Sequence, residues 1–287
     1  MKRNVQLLII DPQNDFCDLP EGWRPTDPSS GRPVDPALPV TGAHADMLRL
    51  AHLVREGAAG IDGIVVTLDS HHRVDVAHPP FWRRGDGRPV QPFTQIIARQ
   101  VRAGELVPRD ATALPRVLAY LDELEARGRY TLMVWPVHCE IGSWGHGVHA
   151  AVRAAYNQWE ESRQAQALKV VKGSNPWTEH YSAVQAEVPD PDDADTQLNG
   201  RLIELLDRAD LIVIAGEASS HCVKATTEHI AEHLPGGRPE RLVLLTDCMS
   251  PVAGFELQQA AFLEAMRARG ARLATSAELL PELQAGA

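Results

Sequence analysis

Short, continuous apolar runs recur along the chain, separated by amphipathic or polar stretches. Six of them are VQLLII (5–10), GIVVTL (63–68), YTLMVW (130–135), LKVV (168–171), LIVIAG (211–216) and LVLLT (242–246). They are continuous rather than alternating, which is typical of strands buried on both faces. The pattern therefore predicts a sheet of mostly parallel strands.

Helical periodicity lies between several of these runs. The predicted helix over 196–207 repeats its apolar positions at Leu198, Leu202, Leu205 and Leu206. A later helix places Phe255, Phe262 and Met266 on one face, and Gly270 is positioned to end it. Strands that alternate with helices predict an α/β fold, with helices on both faces of one mostly parallel sheet.

A polar residue follows each of the predicted strands. These residues are Asp11, Asp69, His138, Lys172, Cys222 and Asp247. Sites in open α/β sheets form at the carboxyl ends of the strands. An acid, a lysine, a cysteine and a histidine on the same edge therefore predict a chemical site there.

Composition narrows the classes of function. The chain has 287 residues and a formal net charge of −10, without a basic block, so nucleic acid and anionic membranes are poor partners. No apolar run approaches the roughly 20 residues of a membrane helix, and VQLLII is too short for a secretory signal. The four cysteines are widely spread, without a CxxC pair, which favours a cytoplasmic protein. They are Cys17, Cys139, Cys222 and Cys248.

Cys222 lies at the start of a predicted helix, immediately after a strand. One interpretation is a buried cysteine that fills the core. The other is a nucleophile whose pKa is lowered by the helix N-terminus. In that case Asp11 can accept the thiol proton, and Lys172 can stabilise the thiolate.

A second set of residues suits a metal ion. Asp69 and His71 lie two residues apart and would point the same way from extended backbone. His138 adds a third ligand, and His78 is a candidate fourth. Two imidazoles and a carboxylate suit Zn²⁺, Fe²⁺ or Mn²⁺. The alternative is that twelve histidines produce pairs by chance.

Five segments, in order over residues 5–230, carry a resemblance to a known family. They are LLIIDPQNDFC, TLDSH with the following His78, WPVHCEIGSWG, VVKGSNPWTEHYSA and GEASSHCVKATTEHI. Together they resemble the isochorismatase-like cysteine hydrolases, and among these the nicotinamidase branch. The resemblance implies a Rossmann-like three-layer α/β/α sandwich in a single domain, residues 1–287.

The resemblance also implies a chemistry. It assigns the catalytic triad to Asp11, Lys172 and Cys222, and the oxyanion hole to the amides of Ala218 and Cys222, after a cis Glu217–Ala218 peptide. The implied function is a metal-assisted cysteine amidase that converts a small nicotinamide-like carboxamide to the acid and ammonia through a thioester. The resemblance also implies one divalent metal ion per chain, with zinc as the first choice, and a homo-oligomer. The residues that match the aromatic pocket are Phe16, Trp135 and Tyr181.

The sequence departs from the family pattern in two notable places. Glu217 stands where the family usually has an aliphatic residue, and the chain between His78 and Trp135 is longer by about forty residues. We expect this inserted segment, at about 79–130, to fold over the metal side of the pocket. Because these departures bear on the substrate, an N-carbamoyl or ureide amidohydrolase and a non-catalytic metal or ligand-binding protein stay as alternatives. A vinyl-ether hydrolase is disfavoured by Cys222.

Overall fold

The computed structural model describes residues 3–286, so the first two residues and the last residue of the predicted 1–287 domain lie outside the described part. The strands are β1 (Val5–Ile10), β2 (Gly63–Asp69), β3 (Trp82–Arg84), β4 (Thr94–Ile96), β5 (Leu106–Pro108), β6 (Leu132–Val134), β7 (Leu168–Lys172), β8 (Leu211–Gly216), β9 (Leu242–Leu245) and β10 (Arg272–Ala274). The helices are α1 (Ala43–Glu56), α2 (Ala98–Arg102), α3 (Leu114–Arg127), α4 (Ala150–Arg163), α5 (Gly200–Asp207), α6 (Cys222–His233), α7 (Glu256–Ala268) and α8 (Ser276–Ala285).

Six strands form one parallel sheet in the order β10-β9-β8-β1-β2-β7. Helices α1, α4 and α8 pack together beside it, and α6 packs against β8 and α7. The central strands β1 and β8 are almost entirely buried, as their continuous apolar runs predict. The predicted α/β class with one parallel sheet is confirmed.

Close contact between β1 and β8 requires a glycine at the end of β8. Gly216 pairs with Ile10 and has a φ of 122°, in a region that side chains other than hydrogen rarely permit. A Cβ atom at Gly216 would lie 1.9 Å from the Ile10 carbonyl oxygen. The glycine therefore lets the two strand ends that carry Asp11 and the Cys222 turn approach each other.

Two predicted strands differ from expectation. The YTLMVW run was predicted as a strand of the main sheet, but β6 pairs antiparallel with β4 in a separate two-stranded sheet. The LKVV run was predicted to be buried on both faces. It is instead part of the edge strand β7, whose side chains alternate between outward and inward positions, so that Val171 is 57% exposed. Apolar composition alone does not distinguish these environments.

The helix predicted over 196–207 begins later than expected. Helix α5 starts at Gly200, because the Asn199 side chain accepts a hydrogen bond from the Leu202 amide and caps the helix there. Leu198 therefore lies outside the apolar face and is exposed.

The segment 79–130 has a small hydrophobic core of its own. It contains β3, β4, β5, α2 and α3, and β3 pairs with β5. Its core is completed by Val76 before the segment and by β6 after it. The main sheet has a separate core cluster. Within residues 3–286, no helix has the length and apolar character that crossing a bilayer requires.

Candidate active site

Asp11, Lys172 and Cys222 converge at the carboxyl ends of β1, β7 and β8. The Lys172 Nζ atom lies 2.9 Å from Asp11 Oδ2 and 3.6 Å from Cys222 Sγ. Beyond the effect of burial, the Asp11 carboxylate is close enough to the Cys222 thiol to raise its pKa. All three side chains are buried, with Cys222 at 6% exposure as the first residue of α6. The structure thus brings the three residues of the predicted triad together.

Neighbouring side chains hold this group in place. The Thr67 hydroxyl donates a hydrogen bond to Asp11 Oδ1 at 2.5 Å. The Asp11 backbone amide donates in turn to the Thr67 hydroxyl oxygen at 3.0 Å. Lys172 donates to Asp69 Oδ1 and to the His180 carbonyl oxygen, both at 3.0 Å. The ammonium therefore has acceptors on several sides, which fixes it between the two carboxylates.

Burial sets the protonation states. Burial raises the pKa of the Cys222 thiol well above its usual range, against the opposing effect of Lys172. It also raises the pKa of Asp11, which Lys172 again opposes. The direction for Cys222 is opposite to the lowered pKa expected from the helix start, and desolvation is its largest cause. The thiol is protonated at rest and adjoins a carboxylate that can take its proton.

The proposed oxyanion donors lie on the turn between β8 and α6. The Glu217–Ala218 peptide is cis, as the resemblance predicted. The Ala218 carbonyl accepts hydrogen bonds from the amides of His221 and Val223, both at 3.1 Å. Within residues 3–286, the amides of Ala218 and Cys222 themselves donate to no other residue. They are consequently free to bind an oxygen of a ligand.

Next to the triad, three imidazoles form a cluster. One nitrogen from each of His71, His78 and His138 lies within 4.8 Å of the others. Asp69 Oδ2 lies 3.1 Å from His71 Nε2 and 3.4 Å from His138 Nε2. All four predicted ligands are thus adjacent, and His78 is as central to the cluster as the other two histidines.

The chemistry of this donor set fits a divalent transition metal. Burial lowers the pKa of His78 to about 2. Burial also opposes the charge of His71, but Asp69 and Asp75 raise the pKa of His71 well above its usual range, so a metal ion would replace a proton there. Burial opposes ionisation of Asp69, but His71 and Lys172 hold its pKa well below the usual range. Asp75 lies 3.1 Å from His71 Nδ1, on the ring atom opposite Asp69, where a carboxylate orients a metal-binding imidazole.

A narrow cavity connects the two groups of residues. It is lined by Phe16, Leu38, Asp69, Trp135, His138, Glu179, Tyr181, Ala218, His221, Cys222 and Val252. All three aromatic residues predicted for the pocket line it, and Trp135 Nε1 donates to the Tyr181 hydroxyl at 3.1 Å. Cys222 and Ala218 therefore face the same space as Asp69 and His138 of the histidine cluster.

Residues of segment 79–130 border this cavity without lining it. The Phe93 ring lies 6.0 Å from the Trp135 ring, edge to face. The Tyr130 ring lies 4.7 Å from the Tyr181 ring. On the other side, the Tyr120 hydroxyl accepts a hydrogen bond from the Glu179 amide. The segment thus supports the pocket wall from behind.

Several residues of the site escaped the sequence analysis. Thr67 and Asp75 belong to no distinctive motif. Thr67 is hydrogen-bonded to Asp11, and Asp75 to His71. Glu179 lies within the VVKGSNPWTEHYSA segment, but the sequence assigned it no role. It is buried, lines the cavity and leaves its Oε2 atom without a hydrogen-bond partner among residues 3–286. His221 also lines the cavity, packed edge to face on Trp135. Its place next to Cys222 was the available signal.

Solved structures share this architecture. A nicotinamidase/pyrazinamidase from Acinetobacter baumanii is 18% identical, with a TM-score of 0.61 over 96% of this chain and 98% of that one. The yeast nicotinamidase bound to the inhibitor nicotinaldehyde is 18% identical, with a TM-score of 0.61 over 94% and 99%. A Pyrococcus horikoshii pyrazinamidase in complex with zinc is 17% identical, with a TM-score of 0.51 over 95% and 99%.

The chain has the fold of these hydrolases. The match extends over nearly the full length of both partners in each comparison. No protein-family model matches the sequence, and no curated protein matches it. At identities of 14–18% the likeness concerns the fold, so the chemistry has to be argued from the site itself.

Proposed function

We propose that this protein is a metal-assisted cysteine amidase that hydrolyses a small, nicotinamide-like carboxamide to the acid and ammonia. One observation carries the proposal: Cys222 lines a cavity that also reaches His138 of the three-histidine cluster, and behind it the buried Lys172 contacts both Cys222 and Asp11. The fold shared with nicotinamidases and pyrazinamidases supports it.

Acylation begins with proton transfer. Asp11 takes the proton of the Cys222 thiol, and Lys172 stabilises the thiolate that forms. The sulfur attacks the amide carbonyl carbon, and the negative charge on the carbonyl oxygen is stabilised by the amides of Ala218 and Cys222. The C–N bond then breaks, Asp11 returns the proton to the leaving nitrogen, and ammonia departs. A thioester on Cys222 is left.

Deacylation uses the same groups in reverse. Asp11, ionised again, accepts a proton from a water molecule that attacks the thioester carbonyl. The same two amides hold the oxyanion. The C–S bond breaks, the acid leaves, and the proton on Asp11 returns to the Cys222 sulfur. Lys172 stays protonated throughout because, although burial opposes its charge, Asp11 and Asp69 raise its pKa well above the usual range.

Asp69, His71, His78 and His138 would hold the divalent ion. Zinc is the ion we propose, with iron and manganese as alternatives, because imidazole and carboxylate ligands suit all three. Such an ion supplies Lewis acidity and a binding point for a substrate heteroatom. Asp69 also contacts Lys172, so the metal site and the triad share one carboxylate.

The cavity favours a flat, largely apolar acyl group. Phe16, Trp135 and Tyr181 contribute aromatic surface, and Leu38 and Val252 contribute aliphatic surface. Aromatic faces pack well against a planar heterocycle. A small aromatic carboxamide therefore suits the pocket better than a long aliphatic amide.

The proposal is tested by ammonia release from purified protein. Nicotinamide, pyrazinamide, benzamide, an N-carbamoyl amino acid and a ureide should be compared, with Cys222→Ala as the control. We expect turnover of the aromatic carboxamides and none with the variant. Turnover of the N-carbamoyl or ureide compounds alone would favour the alternative amidohydrolase. Binding of a carboxamide without turnover, unchanged in Cys222→Ala, would favour a ligand-binding protein.

A further inference from the structure

Glu217 is a buried carboxyl group that the proposed mechanism does not use. It directly precedes Ala218, whose amide is a proposed oxyanion donor, and it is fully buried. Its side chain does not line the catalytic cavity. The question is what this acid does at a position where an apolar side chain would avoid the cost of burying a polar group.

The Glu217 side chain connects two loops at the carboxyl edge of the sheet. Its Oε2 atom accepts a hydrogen bond from the Ser250 amide at 3.0 Å. Ser250 belongs to the loop that follows β9, whereas Glu217 follows β8. The Glu217 amide donates to the Ile10 carbonyl at 2.8 Å, directly before Asp11. The residue is thus fixed to both neighbouring strand ends.

Ser250 holds the residues on both sides of Ala218. Its amide donates to the Glu217 carboxyl, and its carbonyl accepts from the Ser219 amide at 2.9 Å. The Ser250 hydroxyl in turn donates to Asp46 Oδ2 on α1 at 2.6 Å. Ala218 therefore lies between Glu217 and Ser219, which are both hydrogen-bonded to Ser250.

We propose that Glu217 is a positioning residue which, through Ser250, sets the direction of the Ala218 amide in the oxyanion hole. The inference rests on the proposed amidase function. An oxyanion donor works only when its hydrogen points to the place where charge develops, so small displacements of the donor slow the reaction. The role requires a hydrogen-bond acceptor at this position and no ionised group.

The neutral state of Glu217 agrees with this role. Burial, followed by the neighbouring Asp46 carboxyl, raises the pKa of Glu217 well above its usual range. Asp46 also forms an ion pair with Arg49. A neutral carboxyl can accept from Ser250 and still donate its own proton, so glutamine should replace it well, whereas leucine leaves the Ser250 amide without its acceptor.

The test compares Glu217→Gln with Glu217→Leu. In Glu217→Leu we expect kcat for the best carboxamide to fall roughly ten- to a hundredfold with little change in KM. Displacing an oxyanion donor should slow the reaction less than deleting the donor would. The affinity for the matching aldehyde, whose adduct with Cys222 carries an oxygen in the same hole, should fall by a similar factor. The rate of Cys222 alkylation and the metal content should not change. Glu217→Gln should stay within about threefold of the parent protein.

Glu187→Leu is the matched control, because it also removes a buried carboxyl but lies outside the oxyanion turn. Its kcat and aldehyde affinity should match those of the parent. Wild-type kcat and aldehyde affinity in Glu217→Leu would overturn the inference. An equal loss in Glu217→Gln would also overturn it, since glutamine keeps the hydrogen-bond acceptor, and a different property of the carboxyl group would then matter.

Hydrogen exchange separates this inference from the proposed function. In Glu217→Leu, the amides of the 216–222 turn should exchange faster than in the parent protein, while the β1 amides exchange unchanged. If the parent protein hydrolyses no amide and binds no aldehyde, the proposed function fails, and the exchange result decides whether Glu217 positions the turn. Unchanged exchange in that turn would refute the positioning.

Discussion

The Lys172 ammonium lies 2.9 Å from the Asp11 carboxylate, and both groups are almost completely buried. The same ammonium donates to Asp69 at 3.0 Å. The buried Lys172 ammonium therefore forms ion pairs with two buried carboxylates, Asp11 and Asp69. A buried ion pair contributes little net stability, but removal of one partner leaves charge without compensation, which is strongly destabilising.

Lys172→Met should therefore destabilise the protein by about 3–5 kcal/mol at neutral pH and abolish turnover. Lys169→Met is the control: Lys169 lies on the same strand, exposed, with Glu160 at 3.2 Å, and a surface pair contributes only about 0–1 kcal/mol. Urea unfolding of both variants gives the comparison. Equal losses of stability in the two would contradict the structural interpretation.

The cost of Lys172→Met should depend on pH. Burial already raises the folded-state pKa of Asp11, and loss of the lysine that opposes this effect raises it further. The penalty is therefore full above the folded pKa of Asp11 and disappears as the pH falls and Asp11 becomes protonated. In the parent protein the folded pKa of Asp69 is lowered, so its stabilising contribution is lost as the pH falls. Both effects reduce the difference between parent and variant in acid. A difference in unfolding free energy that grows toward low pH would refute this account.

Cys222 should be the first of the four cysteines to react with iodoacetamide. It lines the catalytic cavity, whereas Cys17, Cys139 and Cys248 are buried outside it. Because burial raises the pKa of the thiol, labelling should be slow at neutral pH and accelerate with rising pH. Mass mapping after partial labelling checks the order.

Cys222→Ala should remove both the labelling and the turnover while leaving the thermal midpoint close to that of the parent. Cys248→Ala is the matched control, because it removes another buried thiol after a neighbouring strand. Modification of another cysteine before Cys222, or residual turnover in Cys222→Ala, would exclude the thioester route.

The protein should bind one divalent transition metal per chain. His138→Ala and His78→Ala should each reduce the metal content measured after dialysis against zinc, since both imidazoles belong to the cluster. His146→Ala is the control, because its ring bonds to Ser70 at 2.8 Å, next to the site but outside the cluster. Stoichiometric zinc in His138→Ala would place the ion elsewhere.

The sequence predicted which polar residues the structure brings together, although it misplaced two apolar runs in the sheet. Asp11, Lys172 and Cys222 could be expected on one edge because each ends or follows an apolar run, and parallel strands bring such ends to one edge. His138 was found for a partly wrong reason: its strand belongs to a small antiparallel sheet, and the chain after that strand still reaches the rim. Strand β10 was missed because three residues, Arg272–Ala274, give no periodic signal.

Properties that depend on surroundings were beyond the sequence. The place of Cys222 at a helix start was visible, but its raised pKa comes from burial by residues distant along the chain. The exposure of Val171 depends on β7 being an edge strand, which its composition does not show. The partner of Glu217 is Ser250, 33 residues away, so its role could not be assigned from its neighbours.

In the inserted segment 79–130, Trp82 and Phe93 have different expected roles, Trp82 in stability and Phe93 at the pocket wall. Trp82 is fully buried in the core of the segment and donates to the Val76 carbonyl at 2.7 Å. Trp82→Ala should cost about 3–5 kcal/mol of folding free energy. Phe93 is 55% exposed and contacts the outer side of Trp135, so Phe93→Ala should change stability little.

Phe93→Ala should instead raise KM several-fold for aromatic carboxamides, because Trp135 loses a ring that fixes its position in the pocket wall. Leu257→Ala removes another exposed apolar side chain that does not line the cavity and serves as the control. Steady-state kinetics together with thermal unfolding of the three variants decide the point. If the segment and the main sheet form a single cooperative unit, Trp82→Ala shifts one transition as a whole. A separate early transition in Trp82→Ala, or an unchanged KM in Phe93→Ala, would show that the segment is independent of the pocket.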